Sequence, residues 1–364
     1  MTADRAAATG ATPAAGPPAA VLPAPYQTEL KPYGRALVEL ARRRPEIVCL
    51  SGDLTRQCEI DLFESEFPDR FIHAGMAEAN MIGVAGALAR SGLIPFVHTF
   101  GVFATRRPLD QIVNAVAYPR LPVRIVGFMP GISSPGGPSH QAIEDVALMR
   151  ALPGMTVVDV ADATETAQAV AAIADVPGPV YLRLKRGEIP VIFPPGHRLS
   201  LTAAQVLSDG TAGAAAPEEE TDVVLVASGM MLAPALAAAG LLRTSAVSAR
   251  VLNVPVIKPL DSATVLAAAA AARVVVTAEN HSVIGGLGSA VAEALAEAGL
   301  GRPLRRAGLA DTFAEGALSA PYLFSKYGLA TQDLVDTAWD ALNMPGIPPR
   351  APVSAAQTGE YSPV

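Results

Sequence analysis

One ionisable side chain stands at the head of an otherwise apolar stretch between Phe71 and Gly92. Glu78 is followed by Met81, Ile82 and a series of alanines and glycines, a composition typical of a buried helix. Charged side chains are seldom buried without a partner, so this position calls for an explanation. A carboxylate can exchange protons in catalysis, but a glutamate in the first turn of a helix is also favoured by the helix dipole. From the residues alone, both interpretations of Glu78 stay open.

A histidine and two phenylalanines are further candidates because of their places in the predicted elements. The loop Ser133–His140 is rich in glycine, proline and serine and delivers His140 to the start of a predicted helix. Loops at the carboxyl ends of parallel strands commonly build binding and catalytic sites. Phe100 and Phe103 stand at the end of another predicted strand. The alternatives are a histidine that only serves the turn and phenylalanines that belong to the core.

Composition excludes several classes of function. The 364 residues are 51% hydrophobic and carry a net charge of −7, and no basic block offers a nucleic-acid surface. The five histidines lack the spacing of a metal site, and Gly285–Leu295 does not match the dinucleotide-binding glycine pattern. Cys49 and Cys58 fit a reducing compartment. No apolar run reaches the roughly 18 residues of a membrane span, and no signal-peptide core is present, so we expect a cytoplasmic protein.

Short β-rich segments alternate with helical ones along most of the chain. This alternation is typical of buried parallel sheets, so the predicted fold class is α/β. The predicted strands are 46–50, 70–74, 95–100, 123–128, 155–160 and 180–184, then 223–228, 250–254, 273–279 and 304–309. We therefore expect two α/β domains, 29–192 and 220–345. The remaining segments are a disordered Ala/Pro-rich tail, a linker and a flexible C-terminal tail: 1–28, 193–219 and 346–364.

Several motifs of the first predicted domain, taken in order, resemble the pyrimidine-binding domain of transketolases. They are LSGDLT, HAGMAEANMIGVAGALA, HTFGVFATRRPLDQI, GGPSHQAIEDVALMRALPGMTVVDVADATE and PVYLRLKRGE. The motifs DVVLVASGMMLAPALAA, VIKPLD and ENHSVIGGLGSAVAEAL resemble the smaller transketolase C-terminal domain. The chain is thus most similar to the C-terminal subunit of a split, two-component transketolase. It resembles deoxyxylulose-phosphate synthase and the β subunit of 2-oxo acid dehydrogenase E1 more distantly.

The resemblance implies thiamine diphosphate as the cofactor and gives several residues a part in binding it. Glu78 matches the carboxyl that faces N1′ of the aminopyrimidine and shares a proton with it, and apolar neighbours are expected to keep water away. Phe103 matches the ring that stacks on the aminopyrimidine, and Phe100 lines the same pocket. Asp53 lies in the motif that faces the cofactor and the neighbouring subunit.

The resemblance also implies residues that act on the substrate. His140 matches the active-site histidine near the reacting carbon, as a polar contact or proton relay, so Glu78 and His140 form the expected catalytic pair. Arg186 matches the arginine that binds the substrate phosphate. Lys185 and Arg183 are nearby alternatives for that role.

Two departures from the family pattern bear on the substrate. Gly136 replaces an aspartate that contacts a donor hydroxyl, and Phe128 replaces a histidine near the substrate phosphate. Loss of such polar partners shifts selectivity strongly. We therefore expect two-carbon ketol transfer from a ketose to an aldehyde, with an altered or non-phosphorylated sugar-like substrate.

The motifs do not include the diphosphate-binding domain with its G-D-G…N sequence. In this family the cofactor lies across an interface, so the resemblance implies an N-terminal transketolase subunit that holds the diphosphate and Mg²⁺. The expected assembly is an α2β2 heterotetramer, inactive without that partner. The alternatives are an E1 β-like subunit, transfer of the two-carbon unit to a carrier, or a non-catalytic regulatory chain.

Overall fold

The computed structural model describes residues 25–207 and 220–350 of the chain. Most of the predicted N-terminal and C-terminal tails, and the second half of the predicted linker, lie outside the described residues.

The strands within these ranges are numbered β1 to β14 in chain order. They are β1 Thr28–Leu30, β2 Ile47–Ser51, β3 Phe71–His73, β4 Ile94–Phe100, β5 Arg124–Phe128, β6 Thr156–Asp159, β7 Val180–Leu184, β8 Glu188–Pro190, β9 Gln205–Leu207, β10 Thr221–Ala227, β11 Ala249–Asn253, β12 Val256–Lys258, β13 Ala272–Ser282 and β14 Leu304–Leu309. Every strand predicted from the sequence is present, with ends that differ only by a few residues.

The α-helices are numbered α1 to α12. They are α1 Pro32–Arg43, α2 Asp61–Glu66, α3 Glu78–Arg90, α4 Gly101–Thr105, α5 Leu109–Gln111, α6 Asp145–Ala151, α7 Ala163–Ala174, α8 Leu232–Thr244, α9 Ser262–Ala271, α10 Leu287–Glu297, α11 Ala320–Lys326 and α12 Thr331–Ala341. A π-helical turn, Ile112–Ala117, continues α5, and 3-10 turns occupy Pro68–Arg70 and Gly229–Met231. None of the helices in the described ranges is long and apolar enough to cross a membrane.

Two mainly parallel sheets organise the chain. The first has the strand order β12-β6-β7-β5-β4-β2-β3, and within it only β12 runs antiparallel. The second has the order β14-β13-β10-β11-β9, and within it only β9 runs antiparallel. Strands β1 and β8 pair as a separate antiparallel ribbon. The predicted α/β fold with two successive domains of this kind is confirmed.

Helices cover both faces of each sheet, which explains the near-continuous apolar strands. In β5, Val126 packs in the cluster that includes helices α1 and α7, whereas its neighbour Ile125 packs in the cluster that includes α3 and α6. This alternation follows from the two-residue period of a strand. In the second sheet, α8 and α12 cover one face, and α9 and α10 cover the other. The carboxyl edges of the sheets are therefore where loops, rather than helices, meet the strands.

Two short strands depart from the expected domain organisation. Strand β9 lies inside the predicted linker, yet it pairs with β11 at the edge of the second sheet. Strand β12 comes from the motif VIKPLD, which was assigned to the second domain, yet it pairs with β6 of the first sheet. Strands of three residues carry too little periodicity to be recognised in a sequence, and their partners are distant along the chain.

A buried ion-pair network joins the two domains. The Arg183 guanidinium, on β7, donates from Nε to Asp145 Oδ2 and from Nη1 to Asp159 Oδ2, both at 2.8 Å. From the second domain, Ser228 Oγ donates to Asp159 Oδ2 at 2.9 Å, and the main-chain oxygen of Asn280 accepts from Arg183 Nη2 at 3.0 Å. Removing one member of such a buried network leaves an uncompensated charge, so the network fixes the relative position of the domains.

Candidate functional site

The residues singled out from the sequence gather at the carboxyl edge of the first sheet. Asp53 follows β2, Glu78 follows β3 and Phe100 ends β4. The loop that carries His140 follows β5, and Arg186 follows β7. These five strands are adjacent and parallel, so the five positions lie along one edge. Ligand sites of open parallel sheets form at this edge.

Glu78 is the first residue of α3, and its side chain is buried, with 3% exposure. Met81 and Ile82, one turn further along the helix, are buried in the core. The expected apolar enclosure is absent on the other side, where Met76 is 77% exposed. The Glu78 carboxylate therefore lies at the boundary between the core and solvent.

Arg107 is the partner of this carboxylate. Its Nη1 donates a hydrogen bond of 2.7 Å to Glu78 Oε1, and its guanidinium carbon lies 4.1 Å from the centroid of the Phe103 ring. The Arg107 side chain is 49% exposed, whereas that of Glu78 is 4% exposed. Sequence reasoning missed Arg107. The available signal was the four-residue spacing from Phe103, which places two side chains on one face of a helical turn.

The aromatic residues extend this contact to His140. The rings of Phe100 and Phe103 are stacked, with centroids 6.2 Å apart and planes at 18°. The Phe103 ring meets the imidazole of His140 edge to face at 5.3 Å. The structure thus brings Glu78, Phe103 and His140 into one contiguous group, with Arg107 as the link between the first two.

The His140 loop leaves the imidazole exposed. A Cβ at Gly136 would lie 2.9 Å from the Cβ of His140. Because Gly136 has no side chain, the His140 side chain can occupy its observed position. Arg106 holds the far side of the loop, because it donates to the main-chain oxygens of Pro138 and Gln141 at 2.9 and 3.0 Å. The position of His140 is therefore set by its loop and not only by its own contacts.

Two predicted residues lie on the same edge outside this group. Asp53 is exposed, has a left-handed backbone with φ +75°, and places Oδ1 3.9 Å from His73 Nε2. Arg186 is exposed just beyond β7, and β5 separates that strand from β4. Both positions are open to a ligand or to a neighbouring chain.

The structure does not support a substrate contact for Phe128. Its ring is completely buried and meets Tyr33 edge to face at 5.6 Å, on the side of the sheet covered by α1. Arg183 cannot replace Arg186 as an anion-binding residue, because it is 1% exposed and paired with two aspartates. Lys185 donates to the main-chain oxygen of Glu188 at 2.7 Å. Of Arg183, Lys185 and Arg186, Arg186 is therefore the anion-binding candidate whose side chain is exposed.

His98, in the motif HTFGVF, belongs to the core. It is fully buried, with Nε2 2.7 Å from the Tyr33 hydroxyl and Nδ1 3.0 Å from the Leu50 main-chain oxygen. Burial lowers the pKa of His98 to about 4, so the imidazole is neutral at neutral pH. This histidine stabilises the sheet beneath the site rather than acting in it.

The chain has two mainly parallel α/β domains. The carboxyl edge of the first sheet presents a buried glutamate, stacked aromatic rings and an exposed histidine. Together these features define an α/β enzyme subunit. Residues 30–191 match the transketolase pyrimidine binding domain, and residues 213–334 match the transketolase C-terminal domain. The chain belongs to the transketolase family.

Individual relatives agree with this assignment. A transketolase family protein of Sinorhizobium fredii is 44% identical over 87% of this chain and 90% of its own length. A 6-deoxy-6-sulfo-D-fructose transketolase subunit of Clostridium sp. (strain MSTE9) is 43% identical over 84% of this chain and 92% of its own length. A solved split gene transketolase, an inactive β4 tetramer, aligns with a TM-score of 0.77 and 42% identity, over 86% of this chain and 98% of that chain. The predicted transketolase-type transferase subunit is thereby confirmed.

Proposed function

We propose that this chain is the C-terminal-half subunit of a two-component transketolase that uses thiamine diphosphate. The complex transfers a two-carbon ketol unit from a ketose donor to an aldehyde acceptor. The observation that supports the proposal is the contiguous group of Glu78, Phe103 and His140 at the carboxyl edge of a parallel sheet. A proton-exchanging carboxylate, a stacking ring and an exposed imidazole are the groups this chemistry requires.

The residues present fit the aminopyrimidine of the cofactor. In the chain itself, the flat guanidinium of Arg107 lies over the Phe103 ring and donates to the Glu78 carboxylate at the same time. A flat heteroaromatic ring with a protonated nitrogen offers the same two contacts. Phe103 and Glu78 are therefore proposed to hold the aminopyrimidine, with Phe100 behind Phe103 and Asp53 at the border with the partner.

Two residues of this chain, Glu78 and His140, are proposed to exchange protons during the reaction. When bound, thiamine diphosphate supplies the carbon nucleophile that takes up and releases the two-carbon unit. Glu78 is proposed to share a proton through its carboxylate with N1′ of the aminopyrimidine. The Nδ1 of His140 lies 3.0 Å from Ser139 Oγ, which leaves Nε2 free to contact a substrate hydroxyl. Both groups would thus act as proton donors and acceptors at defined atoms.

We further propose a sugar or sugar-like donor that differs from the common pentulose phosphate. The exposed Arg186 is proposed to bind an anionic terminal group, and Gly136 leaves no side chain to contact a donor hydroxyl. The Clostridium relative is named for 6-deoxy-6-sulfo-D-fructose, whose sulfonate is an anionic group other than phosphate. A ketose with an altered or non-phosphorylated end fits this arrangement.

The partner is proposed to be an N-terminal-half transketolase subunit. It would hold the diphosphate and Mg²⁺, because the two matched domains are the pyrimidine-binding and C-terminal ones. The expected assembly is an α2β2 heterotetramer in the cytoplasm. The solved relative described as an inactive β4 tetramer agrees with a chain that associates with itself but needs a partner for activity.

The test is reconstitution of this chain with the candidate partner, thiamine diphosphate and Mg²⁺, followed by a panel of donors and acceptors. We expect ketol transfer by the pair and none by either chain alone. Ketol transfer by this chain alone would contradict the two-component assignment. Fast turnover of xylulose 5-phosphate with ribose 5-phosphate, and of no altered ketose, would contradict the proposed substrate class but not the activity.

A further inference from the structure

The loop that presents His140 starts against the second domain. We propose that Asn280, at the end of β13 in the second domain, is a positioning residue that fixes the start of this loop. For its effect on catalysis, this inference rests on the proposed function. Asn280 belongs to the motif ENHSVIGG, which begins at Glu279.

The Asn280 side chain forms a two-point clasp on the loop. Its Oδ1 accepts a hydrogen bond of 2.9 Å from the Ile132 main-chain N–H, and its Nδ2 donates to the Pro130 main-chain oxygen at 2.9 Å. A carboxamide is suited to this task because it carries one acceptor and one donor group side by side. Asn280 is 2% exposed, so water does not compete for these bonds.

The residue between the two clasped groups is adapted to this contact. Gly131 has a left-handed backbone with φ +56°, a conformation that side chains rarely allow. A Cβ at Gly131 would lie 2.1 Å from Asn280 Oδ1. Only glycine therefore lets the loop backbone reach the Asn280 amide. The close approach therefore depends on two residues, Gly131 in the first domain and Asn280 in the second.

Hydrogen bonds to the Asn280 main chain and to the neighbouring Glu279 anchor this segment, so the clasp is rigid. Its main-chain oxygen accepts from Arg183, which is bonded to the buried Asp145 and Asp159. The preceding residue, Glu279, accepts from the main-chain N–H groups at the start of α10, at 2.7 and 2.9 Å. The loop is thereby anchored to the ion-pair network and to a helix of the second domain.

A second attachment holds the loop nearer to His140. The buried Gln141 side chain donates to the main-chain oxygen of Glu315 at 3.1 Å. The Ala317 N–H donates to the Pro135 main-chain oxygen at 3.0 Å. The second domain thus contacts the loop before and after the exposed imidazole of His140. A displacement of about 1 Å at a group that acts on the substrate is enough to reduce turnover about a hundredfold.

The kinetic test uses the reconstituted complex with Asn280→Ala and Asn280→Asp variants. Asn280→Asp keeps the acceptor for Ile132 and removes the donor to Pro130. The matched control is Asn253→Ala, because Asn253 is also fully buried in the second domain and donates across the same interface to Glu165 at 2.8 Å. We expect kcat/KM for the donor to fall about tenfold or more in Asn280→Ala, less in Asn280→Asp, and within about twofold of the wild type in the control.

The cofactor provides the readout that separates positioning from general damage. Glu78 and Phe103 lie on helices α3 and α4, outside the clasped loop, so we expect the thiamine diphosphate concentration for half-maximal activity to stay within about twofold of the wild type in all variants. Equal losses in Asn280→Ala and Asn253→Ala would overturn the proposal. A loss of cofactor affinity as large as the loss of donor turnover would also overturn it.

Hydrogen exchange on the full-length chain tests the clasp without any activity. We expect amides in 130–141 to exchange about tenfold faster in Asn280→Ala than in the wild type or Asn253→Ala, with α3 unchanged. Unchanged protection of 130–141 would refute the clasp. If Asn280→Ala does not fold, Asn280→Asp, which keeps the shape and loses only the donor to Pro130, is expected to show faster exchange of 130–141 by a smaller factor. If the wild-type pair shows no ketol transfer, the proposed function fails, and hydrogen exchange still decides the part played by Asn280.

Discussion

The Arg107 guanidinium bridges Glu78 and Phe103: Nη1 lies 2.7 Å from Glu78 Oε1, and the guanidinium carbon lies 4.1 Å from the centre of the Phe103 ring. Both of these residues are proposed to hold the aminopyrimidine of the cofactor. Arg107 in this position therefore occupies the contacts that the cofactor needs. The side chain is half exposed, so it can swing aside into solvent.

This relationship predicts that Arg107 competes with the cofactor. Because the Arg107 side chain is half exposed, its ion pair with the buried Glu78 and its cation–π contact with Phe103 are each worth up to about 1 kcal/mol. In Arg107→Ala we expect the complex to bind thiamine diphosphate roughly three- to tenfold more tightly, because the cofactor no longer displaces the arginine. Calorimetric titration of the complex measures this change.

Arg107→Lys serves as the comparison, because it keeps the charge but lacks the flat guanidinium. Its affinity for the cofactor should lie between those of the wild type and Arg107→Ala. Weaker binding by Arg107→Ala would show the opposite of competition, namely that Arg107 helps to hold the cofactor.

Glu78 should be needed for turnover more than for binding. Glu78→Gln keeps the size and one hydrogen-bonding oxygen but cannot give and take a proton, so we expect kcat of the complex to fall about 10²- to 10⁴-fold. The dissociation constant for thiamine diphosphate should change by less than about tenfold. Single-turnover kinetics together with cofactor titration measure both quantities.

The matched control is Glu66→Gln, because Glu66 also pairs with an arginine, Arg42, but lies on α2 at the surface. It should leave kcat unchanged. If Glu78→Gln retains wild-type kcat, Glu78 has no part in proton exchange, and the glutamate serves only the start of α3.

Restoring an acidic side chain at Gly136 should not restore recognition of a common donor. The Cβ of any such residue would lie 2.9 Å from the Cβ of His140, so the new side chain displaces the imidazole before it can contact a substrate. We expect Gly136→Asp to lose about tenfold or more in kcat/KM with every donor in the panel. Steady-state kinetics with several donors provide the measurement.

Gly136→Ala separates the steric effect from the polar one. It introduces the same Cβ without the carboxylate, so it should show most of the loss seen in Gly136→Asp. Gain of activity by Gly136→Asp toward one donor, with no gain in Gly136→Ala, would instead mean that His140 tolerates the side chain and that Gly136 determines specificity through a missing polar contact.

Burial of His98 should make the fold less stable in acid. Its pKa is about 4 in the folded chain and about 6.5 in an unfolded one. The unfolded state therefore binds a proton first as the pH falls, and stability is lost between about pH 6.5 and pH 4. From these two values, protonation of His98 lowers the free energy of unfolding by about 2 kcal/mol at pH 5 relative to pH 7.5.

His98→Gln isolates this contribution, because its amide does not titrate and can still contact the Tyr33 hydroxyl. Urea unfolding at pH 7.5 and pH 5 should show a loss of stability that is about 2 kcal/mol smaller in His98→Gln than in the wild type. An identical pH dependence in the two proteins would mean that His98 carries a proton in the folded chain or is solvated there.

The path of the chain was predictable from local pattern. Alternating apolar strands and helices identified both α/β domains, because a strand that is buried on both faces must be apolar along its whole length. The ordered motifs also located Glu78, Phe100, Phe103 and His140 at strand ends, and the structure places all four at the same sheet edge. Their assigned parts in catalysis remain predictions.

The sequence could not show which way the side chains at those edges point or which distant groups meet them. Phe128 ends β5 like a site residue but turns toward α1, and Arg107 reaches Glu78 from a different element. Asn280 reaches the His140 loop across the domain boundary, from 150 positions further along the chain than Pro130. Residue types and periodicity report how each segment is buried, whereas the order of strands and the packing of domains decide which segments touch. The sequence by itself thus determined the family, the fold and the candidate chemistry, and the tertiary structure decided how Arg107 and Asn280 bear on the site.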